Sequence, residues 1–495
     1  MSGRTRTALK NTAIQAATQF VTWGLSWVLL IALPRFLGDA GFGKLFFAIS
    51  YGTIFSTLAN LGMNAYLTKQ VAIARECGGT AYPGIDSLVA NVFTCKLALA
   101  VGVYLVQSAL IFLLPHDTET RHAVLIVGAA TTVGSLTLTA AGVFQGLEKL
   151  VAPSVGLVAE KAATTAGAVA LLMSGRGLIA VAWVYLAAAV LNAAIAFGLL
   201  RHRLAYRLAW NGPVLRQVLT GSLPFLVWVV FGEIYVRIDV VMLSLMTSDM
   251  VVGWYGAAFR IYGTLLFVPH ILNTAVFPAL VRMGMRESAE DDFARANDRL
   301  FCYLLAVAVP IAVGTMMIAD PFLKRLYGLG AFQNAGLPLK IMGLSILLVC
   351  VDVLLGSTLI AKGREKAWSL MAVAAAVFNP AMNAWMIPFT QQRWGNGGIG
   401  AAAATLLTEA LMMAGALSLM PRGILSRRSL FTAVRAGAAA VGMAAFLTLW
   451  PWTSVFAAVP AGAAVYSAFA LLFRVIPQAD VHHVYHAIFK EDRQP

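Results

Sequence analysis

Nine ionisable side chains lie within long apolar runs of this sequence, where a charge is costly and therefore informative. A charged side chain at the centre of a bilayer costs about 3 kcal/mol or more, so such residues are functional candidates by default. The basic ones are suited to an anion, and the acidic ones to H⁺ or Na⁺. The set comprises Lys96, Lys161, Arg237 and Arg260 as bases, and Glu160, Glu233, Asp239, Asp352 and Glu409 as acids.

The basic residues fall at two depths. Arg237 lies nine residues before the end of the predicted seventh helix, and Arg260 lies eight residues after the start of the eighth. At 1.5 Å per residue, both lie roughly 12–13 Å from the same side of the membrane. Lys96 and Lys161 each lie about ten residues from the helix ends on the other, inner side of the membrane, again at similar depth. We therefore expect Arg237 and Arg260 to converge on one anionic group.

Structural roles compete with this interpretation. Glu233 and Arg237 are spaced i,i+4, so they could simply neutralise each other. Glu160 and Lys161 are adjacent and cannot share a face, so each needs another partner or water. Lys161 could then contact a ligand or pair with a neighbouring helix, and the same choice holds for Lys96.

The acidic residues have two possible uses. Asp352 and Glu409 are candidates to carry a coupling H⁺ or Na⁺, because burial favours the protonated form of a carboxyl group. Glu233 and Asp239 are further candidates for the same role. The alternative is that these groups satisfy polar atoms between helices.

The composition identifies lipid as the main solvent of the chain. Of its 495 residues 60% are hydrophobic and 12% charged, and the mean hydropathy is +0.79. A soluble domain carries about 25% charged residues. The formal net charge is +14. The basic residues are spread between apolar runs rather than clustered, which argues against nucleic acid as a partner.

The apolar runs predict an all-α integral membrane protein of about 14 transmembrane helices, because a helix needs roughly 20 apolar residues to cross the hydrocarbon core. The predicted spans are 12–33, 43–67, 87–114, 122–145, 151–173, 177–200, 216–246, 252–281, 299–319, 336–361, 367–389, 397–420, 430–450 and 453–475.

The loops predict the orientation. With the N-terminus inside, 24 of the 36 Lys and Arg residues fall on the cytoplasmic side and 8 on the other. This bias follows the positive-inside rule. We expect a multi-pass protein of the bacterial cytoplasmic (inner) membrane, with both termini cytoplasmic.

Two short motifs recur in order. Asp39-x3-Gly43-x4-Ala48 returns as Asp249-x3-Gly253-x4-Ala258, at an offset of 210 residues. Gly-x-Glu-Lys occurs at 146–149 and again at 363–366. Six helices separate the copies, so both halves cross the membrane in the same sense, and a parallel repeat places a substrate site between its halves. We expect six-helix lobes at 1–210 and 211–421, and a C-terminal hairpin with a cytoplasmic tail at 422–495.

These features resemble a known family. The run Leu33-Pro-Arg-Phe-Leu-Gly-Asp-Ala-Gly-Phe-Gly43, the Arg237-Ile-Asp239 pair and the two Gly-x-Glu-Lys turns are similar to the polysaccharide-transport flippases. These belong to the multidrug/oligosaccharidyl-lipid/polysaccharide exporter superfamily. The resemblance covers essentially the whole chain and implies a V-shaped pair of lobes with a terminal hairpin.

The resemblance also implies an activity. An undecaprenyl-diphosphate-linked oligosaccharide, for O-antigen, lipopolysaccharide or exopolysaccharide, would move from the inner to the outer leaflet. Arg260, Arg237, Lys96 and Lys161 would hold its diphosphate and sugar, each pair of opposite unit charges contributing about 3 kcal/mol at ~5 Å. Membrane lipids would surround the protein, and the polymerase and chain-length proteins of the same pathway are possible partners.

Other functions remain open at this point. The alternatives are a peptidoglycan lipid II flippase, a drug/cation antiporter of the same superfamily and, further away, a membrane glycan polymerase or ligase. The first predicted helix, 12–33, lacks the acid that drug antiporters use there. The loops are short, and no P-loop, HExxH or GxSxG motif occurs. We therefore expect a transporter rather than an enzyme, without a metal or an organic cofactor.

Overall fold

In the computed structural model of this protein, every regular element among the described residues is helical. The structure describes residues 3–76, 85–202, 208–284, 290–328, 330–420, 426–450 and 454–475. The α-helices there are α1 (Gly3–Asn60), α2 (Met63–Glu76), α3 (Ile85–Leu113), α4 (Thr118–Gly146), α5 (Val151–Met173), α6 (Leu178–Arg201), α7 (Gly212–Met246), α8 (Asp249–Leu265), α9 (Phe267–Gly284), α10 (Glu290–Tyr327), α11 (Gly336–Ala361), α12 (Glu365–Trp394), α13 (Gly397–Leu419), α14 (Arg427–Leu449) and α15 (Val455–Leu472).

Twelve stretches of the described chain are helical, long enough and apolar enough to cross a membrane. One of them, Lys10–Asn60, has 51 residues. Its length of about 76 Å is more than twice the ~30 Å hydrocarbon core. α1 breaks at Gly38, which has a φ of 69° and a ψ of 179°, so its two parts supply two spans. α7, which has 35 residues and is not one of the twelve stretches, supplies a further span. The prediction of an all-α membrane protein of about fourteen helices is therefore confirmed.

Two predicted spans are interrupted at similar places. The second predicted span, 43–67, is interrupted after Asn60, the last residue of α1. Leu61 and Gly62 take positive φ angles of 45° and 72°, and α2 begins at Met63. The eighth span is divided at Leu266 into α8 and α9. Pro269 accounts for this second break, since it has no amide hydrogen and its ring clashes with the carbonyl four residues earlier.

The ninth span is longer than expected. The sequence predicts a helix over 299–319 after a polar loop, whereas α10 runs from Glu290 to Tyr327. Its first two turns are amphipathic, with Phe293 and Asn297 buried one turn apart. The prediction missed these turns because most of their residues are polar, although their apolar residues form one face of an amphipathic helix.

The Gly-x-Glu-Lys turns are equivalent in conformation but not in the predicted register. In the first turn the amide of Lys149 donates to the carbonyl of Phe144 across Glu148, whose φ is 56°. In the second the amide of Arg364 donates to the carbonyl of Leu359, across Gly363 at a φ of 70°. Both are Schellman turns that end a helix. Glu148 therefore corresponds to Gly363, two residues away from the sequence match.

The Asp-x3-Gly copies contact one another directly. A Cβ on Gly43 would overlap the carbonyl oxygen of Asp249, and a Cβ on Gly253 would overlap the carbonyl oxygen of Asp39. The indole nitrogen of Trp254 donates to Oδ2 of Asp39 over 3.0 Å. We call Asp39, Gly43, Asp249, Gly253 and Trp254 the repeat cluster. Its reciprocity is the arrangement expected of two motif copies related by a local two-fold axis.

The chain forms two compact units, Met1–Gly256 and Ala257–Pro495. In the first, side chains of α2, α3, α4 and α6 build one buried cluster that includes Leu67 and Phe144. In the second, α11, α12 and α13 pack around Leu355. The α14–α15 hairpin packs on α10, where the hydroxyl of Tyr466 donates to the carbonyl of Ala306 over 2.9 Å.

The repeat cluster leads to the first testable prediction. Gly43→Ala should destabilise the protein by about 1–3 kcal/mol, because the added methyl overlaps a backbone carbonyl of α8. Gly24→Ala is the matched control, since a Cβ there meets nothing within 4 Å. That control should be neutral or stabilising by about 0.5–1 kcal/mol. Thermal unfolding of the two variants in detergent measures the difference, and equal midpoints would disprove the close contact.

Candidate functional site

Lys96 is a fully buried cation in α3. Its exposed fraction is 0%, and its Nζ donates to Oδ1 of Asn64 over 2.8 Å. Asn64 follows directly on the break between α1 and α2. Apolar side chains of α2 and α3, such as Leu67 and Val92, enclose the region. Lys96 therefore has a structural partner here, and a ligand would reach it only after a movement of α2 or α3.

Lys161 occupies a different environment on α5. The face that carries Lys161 also carries Thr165, Ala168 and Leu172, all three buried, and the hydroxyl of Thr165 donates to the carbonyl of Leu25 on α1. Lys161 is half-buried on this interior face. Within the described part of the chain it has no ion-pair or hydrogen-bond partner. It is thus a membrane-embedded cation that is open to a ligand.

Its neighbour Glu160 is already satisfied by another helix. Nδ2 of Asn192 on α6 donates to Oε2 of Glu160 over 2.6 Å. The two adjacent charges therefore have separate surroundings, as the sequence requires for residues that cannot share a face.

The ionisable residues of α7 form local pairs. Nε of Arg237 donates to Oε1 of Glu233 one turn earlier, with about a quarter of each side chain exposed. Asp239 is 2% exposed, and its Oδ2 accepts from the hydroxyl of Tyr255 on α8 over 2.8 Å. The i,i+4 neutralisation of Arg237 that the sequence allows is present in the structure.

Asp352 and Glu409 form a buried carboxyl pair in the second unit. They lie on the neighbouring helices α11 and α13, and are 4% and 7% exposed. Their carboxyl groups lie close enough to hydrogen-bond when one is protonated, and neither oxygen of Asp352 has another donor among the described residues. Two like charges this close cannot both ionise at low cost, so the pair is suited to share one proton.

Arg260 is half-buried on α8, within electrostatic reach of Tyr327 at the end of α10. The hydroxyl of Tyr327 is buried and has no hydrogen-bond partner among the described residues. Arg237 belongs to the first unit and Arg260 to the second. Their convergence on one anion stays a prediction.

A polar bridge extends from α1 to the start of α4. Nζ of Lys44 contacts the carboxylates of both Asp117 and Glu119, the latter at 2.9 Å. Burial alone would raise the pKa of Asp117, but hydrogen bonds from Lys44 and Thr120 outweigh it and lower that pKa to about 2. The bridge is therefore ionised at every physiological pH.

His116 links the α3–α4 turn to α7. Its Nε2 lies 3.3 Å from Oγ of Ser244, and its ring lies 4.6 Å from that of Phe47, centroid to centroid. Burial lowers the pKa of His116 below its ordinary value. The charges of Asp249 and Asp117 act in the opposite direction, and that of Arg121 lowers it further. His116 is therefore neutral at neutral pH.

Sequence reasoning missed part of this chemistry. Asn64 and Asn192 stand in apolar runs, which marks them as candidate partners between helices, but nothing paired them with Lys96 and Glu160 in advance. The link from His116 to α7 had only a weak signal, a polar residue in a short turn between two apolar runs.

Solved structures of known proteins share this fold. The lipid II flippase MurJ, in an inward closed conformation, superposes with a TM-score of 0.74 at 14% identity, covering 94% of this chain and 99% of that one. An inward-facing multidrug resistance MATE family transporter of the MOP superfamily gives 0.61 at 12%, covering 80% and 94%. The Vibrio cholerae MATE transporter VcmN, in its bent form, gives 0.51 at 16%, covering 82% and 97%. The chain therefore shares its fold with MurJ and with these MATE transporters.

The family follows from a sequence match. The family model described as "Polysaccharide biosynthesis protein" matches residues 8–284, more than half of the chain. The protein belongs to this family, and the predicted resemblance is confirmed. No sequence among the curated proteins matches the chain.

The environment of His116 leads to a pH-dependent prediction. Its folded pKa lies below the unfolded value of about 6.5, so its contribution to stability is complete above that value. The contribution is lost as the pH falls through the folded pKa, because the unfolded chain takes up the proton first. The unfolding temperature should therefore drop as the pH falls below about 6.5.

His116→Gln should reduce this drop, measured by thermal unfolding in detergent. His122→Gln is the control, because His122 is exposed on the first turn of α4 and should retain the wild-type dependence. Identical pH profiles for both variants would show that His116 does not contribute.

Proposed function

We propose that this protein is a flippase for an undecaprenyl-diphosphate-linked oligosaccharide. It would carry the repeat unit from the inner to the outer leaflet of the bacterial cytoplasmic membrane by alternating access. Membership in a polysaccharide biosynthesis family and a MOP transporter fold support the proposal. The glycan moiety would belong to an O-antigen, lipopolysaccharide or exopolysaccharide.

The observation that carries the proposal is the environment of Lys161. A half-buried lysine on the interior face of a membrane helix is costly unless a ligand or water neutralises it. A diphosphate offers charge-assisted acceptors for such a cation. A cationic drug would be repelled by Lys161, which argues against the antiporter alternative.

The repeat cluster supports the conformational part of the proposal. The predicted orientation places it at the outer side, where α1 and the start of α8 meet carbonyl to glycine. Contacts of this kind form only when two backbones approach closely. If the protein opened on this side, both glycine contacts would be lost together. Closing and opening at such a contact is a two-state element of the sort that alternating access requires.

The affinity for substrate tests the role of Lys161. Lys161→Gln should weaken binding of an undecaprenyl-diphosphate-linked oligosaccharide to the purified protein at least about tenfold, since one charged pair is lost. Lys161→Arg should restore most of the affinity. Lys149→Gln, which removes an exposed lysine from the turn between α4 and α5, is the control and should bind normally. Normal binding by Lys161→Gln would exclude the proposed role.

We further propose that transport is coupled to a proton held by Asp352 and Glu409. The other acidic candidates have partners, Glu233 in Arg237 and Asp239 in Tyr255. Asp352→Asn mimics the protonated state and should fold normally, while uptake into proteoliposomes loses its response to an imposed pH gradient. Asp320→Asn, at an exposed ion pair with Lys340, is the control. A full response of Asp352→Asn to the pH gradient would contradict the coupling. If only a sodium gradient changed uptake by the wild-type protein, Na⁺ would replace H⁺ as the candidate ion.

A further inference from the structure

The first half of α1 presents two different exposed faces to its surroundings. At 3.6 residues per turn, Gln15, Gln19 and Ser26 lie within about 40° of one another around the helix axis, and all three are exposed. Phe20 and Val28 are exposed as well, but at least about 100° away from each of them. We call Gln15, Gln19 and Ser26 the polar face of α1. The opposite, apolar face is suited to lipid, and the polar face is not.

The polar face lies too deep to be explained by the membrane surface. Gln19 lies about 10 Å and Ser26 about 21 Å beyond Thr12, where the predicted span begins. Polar side chains at such depth almost always face the protein interior or a water-filled cavity. The amides of Gln15 and Gln19 have no hydrogen-bond partner within the described part of the chain, so they do not join α1 to a neighbouring helix there. We therefore infer that the polar face meets water.

The remaining face of α1 packs on α5 in a fixed register. Nδ2 of Asn11 donates to the carbonyl of Glu148, just before α5, over 2.9 Å. The hydroxyl of Thr165 donates to the carbonyl of Leu25 over 3.4 Å. The two pairs are separated by 137 and 140 residues in the sequence, so α1 and α5 run side by side in the same direction. Lys161, one turn before Thr165, therefore lies at the depth of the middle of the polar face.

The side chains of the polar face have the chemistry of a sugar site. Each glutamine amide supplies two N–H donors and a carbonyl acceptor, and Ser26 adds a hydroxyl group. Trp23 is half-buried one turn after Gln19, and its indole offers the flat apolar surface that the C–H groups of a sugar ring pack against. None of these side chains is charged. The face therefore suits a neutral, hydroxyl-rich ligand rather than a second phosphate or a metal ion.

We propose that the polar face of α1 binds the uncharged sugar units of the lipid-linked oligosaccharide while Lys161 binds its diphosphate. The first sugar of such a lipid is bonded directly to the diphosphate, so the two groups need partners at adjoining positions. α1 and α5 supply these partners at one depth. α1 is then the helix that distinguishes one glycan from another. This inference rests on the proposed function, because it assigns a place to the sugar part of that substrate.

Thiol labelling tests whether the polar face meets water. Gln19→Cys and Ser26→Cys are compared with Phe20→Cys and Val28→Cys in detergent micelles, with a charged methanethiosulfonate reagent and the wild-type protein as background. The two polar-face variants should react at least about tenfold faster, because a thiol ionises readily only in water. Rates no higher than those of the two control variants would overturn the site.

Two ligands separate the sugar from the diphosphate. Lipid-linked oligosaccharides extracted from the cells that make the protein, and undecaprenyl diphosphate alone, are titrated against purified variants. Gln15→Leu and Gln19→Leu should each weaken binding of the oligosaccharides about tenfold, since hydrogen bonds to the sugar are lost. Both should bind undecaprenyl diphosphate like the wild type. Lys161→Gln should weaken binding of both ligands, and Phe20→Leu, on the apolar face, should weaken neither.

The two glutamine variants should also retain the unfolding temperature of the wild type, which excludes misfolding as the cause. An equal loss of affinity for both ligands, or no loss for either, would overturn the sugar site.

The outcome is separable from that of the proposed function. If the glutamine variants lose affinity for the sugar-bearing ligand alone, but the wild type moves no lipid-linked oligosaccharide in proteoliposomes, the flippase assignment fails and the sugar site stands. If the wild type moves the oligosaccharide and both glutamine variants bind it normally, the sugar site fails alone.

Discussion

The structure depends on the cost of placing ionisable side chains in hydrocarbon. Each such group must be paired, hydrogen-bonded, protonated or bound to a ligand. Lys96 meets the requirement through Asn64, Glu160 through Asn192, and Asp239 through Tyr255. Asp352 and Glu409 are both buried on neighbouring helices, and we propose that they meet it by sharing a proton. Lys161 is left with no such partner in the described chain, and this contrast is what distinguishes a candidate binding residue from the structural ones.

The sequence was sufficient for the features that depend on hydropathy and on local spacing. Fourteen apolar runs predicted the helices, and α5 and α11 match their predicted bounds. The i,i+4 spacing of Glu233 and Arg237 indicated that they could pair, because both lie on one helix, and the structure contains this pair. The recurrence of Asp39-x3-Gly43 in Asp249-x3-Gly253 foretold a repeat, although not that its copies would touch.

Features that depend on two distant segments were beyond the sequence. Asn64 lies 32 residues from Lys96, and no single-helix pattern joins them. The Gly-x-Glu-Lys match was misleading, because the conformation of a helix end is set by the residue with positive φ, which is Glu148 in one turn and Gly363 in the other. The start of α10 was hidden by its charges, since amphipathic turns at a membrane surface read as loop in a hydropathy count.

The proposed function divides these features by task. The reciprocal glycine contacts would close one side of the transport pathway, the carboxyl pair would hold a proton, and Lys161 would bind the charged head of an amphiphile. Such a division would suit a lipid-linked anion better than a small cation.

Transport in proteoliposomes by the purified protein tests this account most directly. Equal amounts of an undecaprenyl-diphosphate-linked oligosaccharide, lipid II and a cationic dye are supplied to separate samples, and movement between leaflets or into the lumen is followed over time. The account predicts rapid transfer of the lipid-linked oligosaccharide and no uptake of the dye. Preferential transfer of lipid II would assign the protein to peptidoglycan synthesis, and uptake of the dye alone would contradict the account.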